Sequence, residues 1–66
     1  METYYIYMVN DTYALTEYEF SIPPNKVAAQ TRLTKNRVNE LMRMDWDEYQ
    51  DILEHYYDHG QKLVTA

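Results

Sequence analysis

Cysteine is absent from the 66 residues, glycine occurs once and proline twice. Without cysteine the chain forms no disulfide and no thiolate-ligated zinc site. A single glycine excludes a glycine-rich phosphate loop, which needs several residues free of a Cβ where backbone approaches phosphate. No apolar run reaches membrane-spanning length, and the N-terminus lacks the basic start and apolar stretch of a secretory signal. The chain is therefore expected to be an intracellular, soluble protein. No Ser-His-Asp or Cys-His set and no paired-carboxylate pocket suggests an enzyme, and no cofactor is expected. His55 and His59 share a helical face at a spacing of four, but no H-E-x-x-H motif or clear third ligand accompanies them, so no metal site is expected.

What is present is charge, unevenly spread, and tyrosine. The net charge is −5, yet residues 23–43 carry Lys26, Arg32, Lys35, Arg37 and Arg43 against Glu40 alone. On either side the chain is acidic, with Glu2, Asp11, Glu17 and Glu19 before this stretch, and Asp45, Asp47, Glu48, Asp51, Glu54 and Asp58 after it. Such polarity steers one face toward a polyanion, or joins complementary patches within a domain or a dimer. A chain this short buries a limited fraction of its surface, so it reads as one small domain that gains from a partner.

Residues 3–9 are β-branched and aromatic on both faces, which favours a strand. Asn10-Asp11 supplies turn chemistry. The later alternation of Tyr18, Phe20 and Ile22 against Glu17, Glu19 and Ser21 predicts a second strand, so residues 3–22 are expected to pair as an antiparallel hairpin. The eight tyrosines suit cross-strand packing, and the absence of a polar face on the first strand suggests dimerisation through the hairpin. Pro23-Pro24 closes the strand and suits a helical first turn.

Residues 24–43 fit two short helices meeting at a sharp corner. Val27, Ala28 and Thr31 would face inward from the first, Leu33 would fill the corner, and Val38, Leu41 and Met42 would face inward from the second. Thr34 would cap the second helix with its hydroxyl. Arg32 stands where glycine is usual in such a turn. The outward set is Thr34, Lys35, Asn36, Arg37, Asn39, Glu40 and Arg43. Lys35, Arg37 and Arg43 suit phosphates, while Asn36, Asn39 and Glu40 suit base edges. Residues 45–59 predict a third, acidic amphipathic helix. Asp45 and Glu48 have capping-box spacing, Trp46, Tyr49, Ile52, Leu53 and Tyr56 form the apolar stripe, and Gly60 ends the helix. Residues 61–66 are expected to be a frayed tail.

The fold class expected is α+β, a two-stranded hairpin on three helices, the first two a helix-turn-helix. Tyr4-Tyr5-Ile6-Tyr7 followed by Val27-Ala28, Leu33-Thr34, Val38 and Leu41 resembles small helix-turn-helix proteins encoded by bacteriophages and prophages, over residues 4–43. The resemblance implies either a transcription regulator that reads double-stranded DNA or a factor that blocks a host protein. In the second case the acidic row Asp45, Asp47, Glu48, Asp51, Glu54 and Asp58 would imitate DNA and inhibit a host nucleic-acid enzyme or defence complex.

Overall fold

Two apolar faces on one strand demand cover on both sides, and the computed structural model, which describes residues 1–66, shows how the chain supplies it. Strand β1, Glu2–Val9, lies inside a four-stranded antiparallel sheet and not in a lone hairpin. Its partner β2, Thr12–Thr16, follows a two-residue turn in which Asn10 and Asp11 take φ of 50° and 66°. Asn and Asp tolerate that left-handed backbone, and it twists the hairpin the way its strands need. The register is set by Ile6 opposite Leu15 and Met8 opposite Tyr13.

The expected second strand ends at Thr16. Tyr18 and Phe20 are exposed, Phe20 by 86%, and only Ile22 of that alternating trio is buried. Topology is the reason. β2 and the next strand both run antiparallel to β1 from its two sides, so the segment between them must travel back across the sheet. Residues 17–26 form this strap, with one 3-10 turn at Glu19–Ser21. The Tyr5 hydroxyl donates to the Glu19 carboxylate at 3.4 Å, which places the strap on the Tyr5 face.

The largest correction concerns residues 24–33. Instead of the first helix of a helix-turn-helix, the chain turns at Asn25 (φ 62°) and enters strand β3, Val27–Leu33. β3 pairs with β1, setting Tyr4 opposite Thr31 and Ile6 opposite Ala29. Ala28 and Ala29 are both fully buried, and successive strand residues point to opposite faces. Small side chains there let a layer approach from each side. Arg32 lies in extended backbone, so the strain expected of a glycine-less turn does not arise.

Two helices follow, not three. Helix α1, Lys35–Met42, starts as expected at Thr34, whose hydroxyl accepts the Arg37 N–H at 3.1 Å. Helix α2, Trp46–His59, also occurs where its periodicity puts it. Asp45 occupies its N-cap position without a side-chain capping hydrogen bond, so the capping box does not form. Leu53 seals the core against Tyr4, Ile6, Leu33 and Leu41. Neither helix is long and apolar enough to cross a membrane.

The expected tail is ordered. Gln61–Val64 form β4, which pairs with β3 and completes the order β2-β1-β3-β4. Thr65 is buried beyond it; its hydroxyl donates to the Pro23 carbonyl at 2.6 Å and accepts the Lys26 N–H at 3.2 Å, tying strap to sheet. Gly60 ends α2 with a negative φ, so its lack of a side chain serves space and not handedness. A Cβ there would lie 2.9 Å from both the Gln30 and Tyr56 carbonyl oxygens.

Both sheet edges are strands, and one is capped by a side chain. The Gln50 amide accepts the Tyr13 N–H at 2.7 Å and donates to the Tyr13 carbonyl at 2.9 Å. A single α2 side chain thus stands in for one residue of a neighbouring strand, which blunts β2 as a template for intermolecular pairing.

Two outcomes follow from these contacts. Gly60→Ala should lose about 1–3 kcal/mol in urea unfolding, because the opposing atoms are backbone and cannot swing aside; an unchanged midpoint would show that the close approach is not obligatory. Gln50→Ala should lose about 1–2 kcal/mol by orphaning both Tyr13 backbone groups, and should raise self-association in sedimentation. A variant as stable and as dispersed as the parent would remove the edge-capping role.

Candidate functional site

The residues expected to read DNA lie on α1, but they divide by what already holds them. Thr34 is engaged as the cap. Arg37 is half-buried; its Nε donates to the Tyr56 hydroxyl at 3.1 Å, and its Nη1 lies 3.9 Å from Glu40. The Tyr56 hydrogen bond holds the guanidinium above its ordinary pKa, against the opposing effect of burial. Arg37 therefore fastens α1 to α2. Lys35 reaches Glu2 at 4.0 Å between exposed side chains, an ion pair of little worth in water. Asn36, Asn39, Glu40 and Arg43 remain on the surface. The element before α1 is β3, so no preceding helix braces α1 in the manner of a helix-turn-helix.

The acidic residues show more order. Along α2, Asp47, Asp51, Glu54 and Asp58 recur at steps of four, three and four, which aligns them on one side of a helix with 3.6 residues per turn. That side is opposite the buried stripe through Tyr49, Leu53 and Tyr56. All four are exposed, as are Asp45 and Glu48, and none of the six lies within 4.0 Å of a basic nitrogen. Lys62, the basic residue just beyond α2, folds back over the helix C-terminus, its ammonium 3.4 Å from the Asp58 carbonyl and 3.3 Å from the Gly60 carbonyl without pairing with a carboxylate. Its ammonium bonds the Tyr57 carbonyl and sits 4.9 Å from the Tyr57 ring centre.

At the N-terminal end of α2, on its Tyr49 side, lies an apolar notch that the sequence pattern did not announce. Leu41 and Tyr49 line it with Met42, Met44 and Trp46, and its volume is about 360 Å³. Met42 is 63% exposed and Trp46 60% exposed, so neither faces the core as expected. The available signal was three large apolar residues at alternate positions, Met42, Met44 and Trp46, across a connection between helices where polar residues are usual. A larger depression of about 530 Å³ opens between the strap and Thr65-Ala66, where Glu19 is the only charged side chain. The His55 and His59 rings stack at 4.4 Å, and no cluster of three potential ligands surrounds them.

The stripe also acts on the tyrosines. Burial first, then the charges of Glu54 and Asp58, push the Tyr13 phenol above 10, and burial does the same for Tyr49. A folded-state value above the unfolded one means stability intact below about pH 10 and lost as pH rises through the folded values. The urea midpoint should therefore fall between about pH 9 and about pH 11 in step with tyrosinate absorbance. A midpoint constant over that interval would contradict the burial assigned to these rings.

No protein-family model matches the chain, and neither a curated protein nor a solved structure is similar to it.

Proposed function

We propose that this chain is a protein-binding module whose working surface is the outer side of α2, and that its partner presents a cationic surface of the kind that holds nucleic acid. The observation that carries this reading is the straight, unpaired row Asp47, Asp51, Glu54 and Asp58.

Stability does not account for that row. Asp47 and Glu48 occupy the first turn, where the helix dipole favours anions. Glu54 lies beyond the reach of that effect. Asp58 is in the last turn, where the dipole disfavours an anion by about 0.3–1 kcal/mol. Like charges at steps of three and four also repel one another. Apart from the neutral Tyr13 phenol, which Glu54 and Asp58 favour, folding gains little from this arrangement. A regular line of carboxylates does, however, imitate the phosphate row that a cationic groove recognises, and it speeds encounter with such a groove by long-range attraction.

A second reading rests on α1. Lys35, Asn36, Asn39 and Arg43 are exposed and could meet duplex DNA, although they stand beside the acidic helix and lack a bracing helix in front.

The two readings separate in one experiment. The protein, immobilised, is incubated with bacterial lysate treated with nuclease, and retained proteins are compared with those held by a variant carrying Lys at 47, 51, 54 and 58. The expected result is a nuclease-resistant partner whose affinity falls at least about a hundredfold on charge reversal. Duplex binding that weakens steeply with salt and vanishes with Lys35→Ala/Arg43→Ala would instead establish the α1 reading.

A further inference from the structure

The two edges of the sheet are finished differently. On β2, Gln50 occupies the outward groups of Tyr13. β4 has no such cover. The Thr65 N–H donates to the Lys26 carbonyl, and bonding direction alternates along an antiparallel strand, so Gln61, Leu63 and Thr65 face β3. Lys62 and Val64 therefore turn their N–H and C=O groups away from the sheet, and no turn, loop or cap bond reaches them. We infer that β4 pairs antiparallel with β4 of a second copy of this chain, joining two four-stranded sheets into one through Lys62 and Val64. This inference is independent of the acidic row on α2.

An extended row of unpaired backbone donors and acceptors is matched by another strand. This strand is matched by itself. Pairing centred on Leu63 sets Lys62 opposite Val64 of the other copy, and the two-fold repeats the pair, so every outward group finds a partner. Half-buried Leu63 then meets its own counterpart at the centre, where side chains of a non-hydrogen-bonded pair come closest. Sliding the register to face Lys62 with Lys62 would oppose like charges, which selects the centre at Leu63.

Apolar surface runs up to the same edge. Val27 pairs with Val64, and one step past the Tyr7–Ala28 pair Met8 lies beside Val27. All three are on the α2 side of the sheet, yet Met8 is 37% exposed, Val27 45% and Val64 68%. In the proposed pair both copies turn this row to the same face, with the two Val64 side chains diagonal neighbours across the two-fold. Lysine commonly guards an open edge, but the Lys62 ammonium is drawn back onto the Tyr57 carbonyl and ring. β4 holds neither proline nor a second charge. With β2 blunted and β4 open, association closes at two copies instead of propagating.

Sedimentation equilibrium of the full chain should show a monomer–dimer equilibrium that strengthens with added salt, because copies of net charge −5 repel until screened. Amide hydrogen exchange at Lys62 and Val64 should slow as protein concentration rises. Val64→Pro removes an outward donor from each copy and spares the bonds to β3, so it should raise the dimer dissociation constant at least about tenfold. Val64→Lys keeps the backbone intact and should also weaken the dimer, by setting like charges opposite each other, with far-ultraviolet circular dichroism unchanged. Monomer alone up to about 1 mM would overturn the pairing. A dimer equally tight in both variants would overturn it too, placing the contact elsewhere on the molecule.

Discussion

The pairing of β1 with β3 is the constraint on which the rest of the molecule depends. It sets Ile6, which has no exposed surface, beside Ala29, which has none either. Once β3 lies on one side of β1 and β2 on the other, the strap has to cross the sheet, and one face of β1 is covered by it. The other face takes α2, with Leu53 above Ile6. Both faces of the opening strand thus meet cover from within the chain, the strap on the Tyr5 side and α2 on the Ile6 side.

That pairing explains why some elements were legible in the sequence and others were not. Signals within a few residues of one another held. Asn10-Asp11 made the turn, Thr34 capped α1, and the spacing of Tyr49, Leu53 and Tyr56 marked α2. Val27 to Leu33 went the other way because its decisive partner is more than twenty residues distant. Alanines and long polar side chains suit a helix locally, and only a strand that needs small neighbours on both faces makes Ala28 and Ala29 informative. The alternation of Tyr18, Phe20 and Ile22 misled for a related reason: with the inner position beside β1 taken by β3, that segment becomes a crossing. Gln61 to Val64 is too short for a periodic signal, and its order comes from pairing with β3.

The same constraint moves the functional surface. A helix-turn-helix would have made α1 the presented element and α2 its support. With β3 in place of a first helix, Arg37 is drawn into a hydrogen bond with Tyr56, and the most regular exposed chemistry shifts to α2. The six carboxylates were visible in the sequence as a charge run. Asp47, Asp51, Glu54 and Asp58 among them lie on the side of α2 away from the core because α2 packs its opposite side across β1, β2 and β3. Met42 and Trp46 were assigned inward by periodicity, yet the tight connection between the helices turns both toward solvent and makes the notch.

The central claim is that residues 27–33 form a strand against β1, and solution NMR tests it most directly. The account predicts cross-strand nuclear Overhauser contacts linking Tyr4 to Thr31 and Ile6 to Ala29, with extended-backbone chemical shifts from Val27 to Leu33. Sequential amide-to-amide contacts running unbroken from Asn25 through Arg32, with helical shifts, would contradict it and restore α1 as the second helix of a pair.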